Sequence, residues 1–338
     1  MKIRSLLLAA VTAVMALTGC QQTTHVASDQ PRIEIIDEQA LQFVSETTQI
    51  EVLAEGFEWT EGPVWVQSQN ALLFSDVPEN VIYQWRPGVG VTEFLRPSGS
   101  SGVYADASKQ GSNGLALDMT GQLLLCQHGD RRVSRLAAPF EQAEPNYQTL
   151  ASLYQGKRFN SPNDLTVGKN GQIWFTDPPY GLPQGQNNTE QRELDFHGVY
   201  RLDTDGKVTL LTKEMTRPNG IALSNDEKTL YVANSDPNKA IWMAWQIADD
   251  GSLNDGRVLF DATFHLSTGH GLPDGLKVHP SGVLFATGPN GVLLLTPEGN
   301  HLATIHTVTA SANVAFNQDF SSLFITSDNR LLRVAINP

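Results

Sequence analysis

Polar residues recur along this chain at a nearly constant interval, each just ahead of a short hydrophobic run. Glu61, Asn113, Asn163, Asn219 and Asp274 stand 52, 50, 56 and 55 residues apart, and a weaker sixth copy starts at Asn313. Most copies continue with Gly or Asp, an alternating strand, a tight turn and a second, more apolar strand, as in NGLALDMTGQLLLCQH and NGIALSNDEKTLYVAN. A period of this length with several strands per unit is the signature of a β-propeller. Six copies predict an all-β, six-bladed propeller with a central metal site. Few other folds accommodate the pattern, because each unit can bury its apolar face only against its neighbours.

The turns agree with strands rather than helices. Met119-Thr120-Gly121, Lys169-Asn170-Gly171 and His279-Pro280-Ser281-Gly282 supply the positive φ that short hairpins need. Third strands are expected at 133–136, 199–202, 241–245 and 292–295, and fourth strands at 208–211 and 258–260. The last blade lacks an obvious outer strand before Pro338, so the stretch 33–52 is expected to supply it and close the ring. The segments 140–152 and 181–196 are irregular and read as loops over one end of the channel.

The first residues do not belong to this pattern. Lys2 and Arg4 precede a mainly apolar run, Leu6 to Leu17, too short for a comfortable membrane span. It ends in Leu17-Thr18-Gly19-Cys20, which resembles the bacterial lipoprotein processing box. The resemblance implies a signal peptide over 1–19, lipid on Cys20, and attachment to the outer membrane facing the periplasm. Residues 20–48 are expected to form a polar tether and 49–338 the propeller. The membrane is thus expected to be met through the anchor alone. Cys126 is the only other cysteine, so the domain has no internal disulfide to form. The formal charge is −13 and falls by two more when the leader is removed. That balance argues against nucleic acid and against docking on anionic lipid. Nothing in the sequence points to a protein partner.

In a propeller the first strand of each blade lines the central channel. Glu61, Asn113, Asn163, Asn219 and Asp274 would therefore converge at one rim and offer only oxygen atoms to a cation. Two carboxylates and several amide oxygens suit one divalent cation, Ca²⁺ or Mg²⁺ first and Mn²⁺ nearly as well. The lack of cysteines argues against a dedicated zinc site, although Zn²⁺ could be accommodated. A second ring follows 13 to 15 residues after each anchor: Asp76, His128, Asp177, Asn234 and Thr287. Strand alternation puts it at the same end of the blades, where it is expected to wall a pocket. Arg158, Phe159 and Asn160 stand just ahead of the third anchor, where a cation and an amide would suit a polyhydroxylated or carboxylated ligand.

The segments Glu61-Gly62-Pro63-Val64-Trp65, Ser112-Asn113-Gly114, Ser161-Pro162-Asn163-Asp164, Arg217-Pro218-Asn219-Gly220 and Pro273-Asp274-Gly275 resemble the gluconolactonase family, which includes regucalcin (senescence marker protein) and luciferin-regenerating enzyme. The resemblance runs over about 50–335. It is closest to the bacterial gluconolactonases, through the stretches around His128 and Phe175-Thr176-Asp177-Pro178-Pro179-Tyr180-Gly181. It implies a metal-dependent hydrolase of carboxylic esters acting on a sugar lactone, with glucono-1,5-lactone the first expected substrate and Ca²⁺ the first expected ion. It further implies Glu61, Asn163, Asn219 and Asp274 as metal ligands, Asp274 also as general base, and Asn113, His128 and Arg158 as substrate-pocket residues. Asp177 is added to the substrate-binding set from the second ring. Two alternatives remain open: a hydrolase of other lactones, aryl esters or organophosphates on the same scaffold, and a lipid-anchored propeller that binds a sugar without turnover.

Overall fold

The computed structural model describes residues 30–185 and 190–337. The expected signal peptide and Cys20 lie outside these residues. The described chain is nearly all β, in six antiparallel sheets that follow one another around an axis and one small two-stranded hairpin, Leu153–Tyr154 with Lys157–Arg158. Blade 1 comprises Thr60–Val66, Ala71–Asp76, Val81–Arg86 and Gly90–Leu95. Blade 2 begins at Ser112–Leu117, blade 3 at Leu165–Val167, blade 4 at Pro218–Leu223, blade 5 at Leu276–Val278 and blade 6 at Ser311–Phe316. These six strands are the innermost of their sheets, and each touches the next around the ring.

Six apolar clusters occupy the six gaps between neighbouring blades. Leu73, Ile82, Leu115 and Leu125 fill the first gap, and Trp174, Val199, Ile221 and Val232 fill the third. The strongly apolar second strands explain this, because each is covered on both faces. Closure follows the expected route. Ile50–Glu55 pairs antiparallel with Arg330–Ala335 and becomes the outer strand of blade 6. Trp65 stacks on Phe324 across that seam at 5.5 Å.

The tether is shorter than the sequence suggested. Arg32–Ile35 pairs with His301–His306 as a fifth strand on blade 5. The short 3₁₀ turn Glu38–Gln42 then presses Ala40, Phe43 and Val44 into the cluster between blades 5 and 6. The strand is an edge strand of only four residues, with Ile33 buried and Arg32 and Glu34 exposed, too short for its alternation to stand out.

The anchors reach the axis by a local distortion. The ladders of blades 1, 2, 4 and 6 shift register at Glu61/Val64, Ser112/Leu115, Pro218/Ile221 and Ser311/Asn313. A bulge of this kind turns a side chain away from the regular alternation. In blades 3 and 5 the anchor sits just before the strand, and its N–H bonds Thr176 O or Thr287 O. Crowding at the axis explains the recurring glycine. A Cβ on Gly220 would lie 2.1 Å from Asp274 O of the next blade.

Candidate active site

A pocket of about 510 Å³ opens over the channel at the end where the anchors stand. Glu61, Asn113, Asn163, Asn219 and Asp274 all line it, together with His128, Tyr180, Ser235, Trp59 and Gln110. Five blades thus place one polar side chain each around a common space. Asn313, the sixth copy, is buried below and does not line the pocket.

The site's atoms are only partly satisfied by the protein. Glu61 accepts from the Gly62 N–H at 3.2 Å and from Trp59 Nε1 at 3.4 Å. Asn219 donates its amide to Ser235 Oγ at 2.9 Å, which fixes the side chain's orientation. Asn113 Oδ1, Asn163 Oδ1, Asp274 Oδ1 and His128 Nε2 are buried and have no hydrogen-bond partner within the protein. Buried polar atoms are rarely left so, and four on one pocket mark a place built for something else. Oxygen atoms dominate the set. Among the described residues no three His, Cys, Asp or Glu gather as a metal cluster; the carboxylates here are two, supplemented by amides. Two acids with amide oxygens and no thiolate fit a hard dication.

The electrostatics point the same way. Burial, and next the charge of Asp164, push the Glu61 carboxyl up from 4.5 to about 7. Asp274 is raised well above its ordinary value by burial, then by Glu61, then by Asp164. Negative charge is therefore costly here until a cation compensates it. His128 is driven the other way, down to about 3 by burial, and stays neutral at physiological pH. Its Nδ1 faces Gln110 Oε1 at 3.1 Å. With that oxygen accepting, Nδ1 carries the proton and Nε2 presents a lone pair to the pocket.

Five expected pocket residues are elsewhere: Asp76, Asp177, Asn234 and Thr287 of the second ring, and Arg158. Asp177 is fully buried and turned back toward its own blade, where it accepts the N–H groups of Asn160 and Ser161 at 2.9 and 2.8 Å. Asp76 does the same for Glu58 and Trp59, and Asn234 for Arg217. The second ring is thus mainly a repeated clamp on the loop entering each innermost strand. Only His128 of that ring lines the pocket. Arg158 pairs with Asp106 at 3.2 Å and with Glu193, and lies over the Tyr104 ring at 4.8 Å. Engaged by two carboxylates, it pins the loop around Asp106 and does not line the pocket.

The wall is made instead by residues one to three positions beyond the second ring: Val77, Pro78, Tyr180 and Ser235. Their offset from the ring was readable in the repeat. Gln110 had no signal, since it comes from a connecting loop.

Comparison with known proteins places the chain in a family. The profile of the SMP-30/Gluconolactonase/LRE-like region matches residues 59–329. The chain belongs to this family. A gluconolactonase of Zymomonas mobilis is 35% identical over 347 residues, covering 97% of this chain and 93% of that relative. A solved gluconolactonase of Xanthomonas campestris superposes with a TM-score of 0.78 at 32% identity, covering 91% of this chain and 96% of that one. A calcium-binding regucalcin of Agrobacterium tumefaciens shares the fold, with a TM-score of 0.66 at 18% identity over 86% of this chain and 95% of that one.

Proposed function

We propose that this chain hydrolyses a sugar lactone, glucono-1,5-lactone first, in a site that holds one divalent cation, Ca²⁺ first. Its similarity to the Zymomonas and Xanthomonas gluconolactonases supports the reaction class. The cation is supported by the unpartnered, buried oxygens of Asn163 and Asp274 on one pocket with Glu61. Glu61, Asn163, Asn219 and Asp274 would be its ligands. A divalent cation there would polarise the lactone carbonyl and stabilise the charge that develops on its oxygen.

The protein's own groups do the rest. Asp274 accepts a proton from the attacking water as the water oxygen bonds to the carbonyl carbon. The ring C–O bond then breaks, its oxygen takes that proton from Asp274 and leaves as the hydroxyl of the open hydroxy acid, and the Asp274 carboxylate is restored. Asn113 Oδ1 and the neutral His128 Nε2 accept hydrogen bonds from hydroxyl groups of the sugar ring. The pocket's apolar side, Val77, Pro78 and Leu272, limits water around the bound ring.

The deciding experiment is a panel of sugar lactones, acyl-homoserine lactones and aryl esters, each with and without chelator. Turnover of the sugar lactones, abolished by EDTA and restored by Ca²⁺, is expected. Full turnover in protein verified to be metal-free would refute the cation's role, and turnover of aryl esters alone would refute the substrate. We further propose that Cys20 carries the lipid and holds the enzyme at the outer membrane, facing the periplasm.

A further inference from the structure

Below the pocket a second charged group sits in the channel that the reaction does not use. Asp164 follows the anchor of blade 3 where four of the other copies carry glycine. It is 1% exposed and does not line the pocket. The Leu165 N–H donates to its Oδ1 at 2.9 Å, and Asn313 Nδ2 donates to its Oδ2 at 3.2 Å. Lys277 Nζ stands 4.0 Å from the same Oδ2 and donates to Asn313 Oδ1 and to Leu276 O, each at 3.2 Å. Blades 3, 5 and 6 therefore each give one member.

The space is fully used. A Cβ on Gly275 would lie 2.0 Å from Asn313 Cγ, and one on Gly114 would lie 2.7 Å from Asp164 Oδ1. Lys277 enters from the opposite mouth of the channel, a cleft of about 400 Å³ walled by Val64, Leu115, Leu165, Ala222 and Ala315. A lysine at an apolar mouth ordinarily turns its ammonium to water. This one is 30% exposed in its side chain, yet its ammonium points inward. Asp164 adjoins Asn163 of the pocket in the chain, and Asn313 packs against Gly275, which adjoins Asp274, so the cluster lies directly under two of the pocket's anchors.

We infer that Lys277 is an internal counter-cation which, through Asp164 and Asn313, sets the channel's charge for one dication and closes its far end to a second. Fully ionised around a bound cation, Glu61, Asp274 and Asp164 would carry three negative charges. The ammonium leaves two, which one divalent cation neutralises. Lys277 and Asp164 are positioning residues: they meet neither substrate nor cation. The inference rests on the proposal that Glu61 and Asp274 hold a dication.

The test is calorimetric titration of Ca²⁺ into the chelator-stripped full chain. Wild type is expected to bind one equivalent. Lys277→Met should bind Ca²⁺ roughly tenfold more tightly or take up a second equivalent, and Asp164→Asn should bind roughly tenfold more weakly. The double variant should return to within a few-fold of wild type, and Lys277→Arg should match it. A purely structural pair would lower the melting temperature of every variant without this alternation of sign. Unchanged affinity and stoichiometry in folded Lys277→Met would overturn the inference. Should that variant fail to fold, unchanged affinity in Asp164→Asn would do so equally. A wild type that binds no Ca²⁺ would overturn both this inference and the proposed cation site.

Discussion

Replacing Glu61 by Gln should stabilise the metal-free protein while it damages the metal-bound one. Glu61 is 2% exposed, and its carboxyl is pushed from 4.5 to about 7, mainly by burial. A folded-state value above the unfolded one means full stability below pH 4.5 and a progressive loss as pH rises through 7. At pH 8 the whole cost is present. At about 1.4 kcal/mol for each tenfold change in proton affinity, it is about 3 kcal/mol. Gln keeps the shape and an oxygen that can accept from the Gly62 N–H and Trp59 Nε1, so the cost disappears with the charge. For a domain of this size the gain corresponds to a melting temperature higher by roughly 6 °C. The assay is thermal unfolding in EDTA at pH 4.5 and pH 8, repeated in excess Ca²⁺. The variant should match wild type at pH 4.5 and exceed it at pH 8. Ca²⁺ at a hundredfold over Kd would stabilise wild type by about 2.7 kcal/mol, while the variant, short of a ligand charge, should respond less. A Glu61→Gln protein less stable than wild type at pH 8 in EDTA would refute the reasoning, because Glu61 would then be held by something other than a cation.

Asp274→Asn keeps an oxygen at the pocket floor but removes the proposed base, and should cost on the order of 10²–10⁴ in kcat at saturating Ca²⁺; near wild-type turnover with the ion verified as bound would remove Asp274 from that role. His128 is buried neutral with its value lowered from 6.5 to about 3, so its share of stability is present above 6.5 and is lost as pH falls toward 3. His128→Gln should flatten that acid limb in a pH series of unfolding curves, and an unaltered limb would show that His128 is not responsible. Cys20→Ala should leave the lactonase activity of the purified protein intact while abolishing membrane association; mass spectrometry finding an unmodified Cys20 in the mature native protein would rule out the anchor.

The repeat was legible because a propeller is nearly one-dimensional: each blade is specified by its own period, turns and apolar strands, and packs only on its neighbours. Those local signals placed six blades and the five polar anchors, and they assigned the closing strand to the N-terminal side, although the observed Ile50–Glu55 overlaps the expected stretch 33–52 only at its end. The edge strand Arg32–Ile35 escaped notice because its partner, His301–His306, lies some 270 residues away. Side-chain direction near the rim was not encoded in spacing either. Asp177 ends its second strand as Gln127 ends that of blade 2, so His128 stands one place further on; Asp177 turns back to two backbone N–H groups while His128 faces the pocket beside Gln110. Bulges and connecting loops decide such turns, and they depend on how the blades meet. The same holds for Lys277, Asp164 and Asn313, three ordinary polar residues in sequence. They become one charged cluster only when three blades bring them together around a single axis.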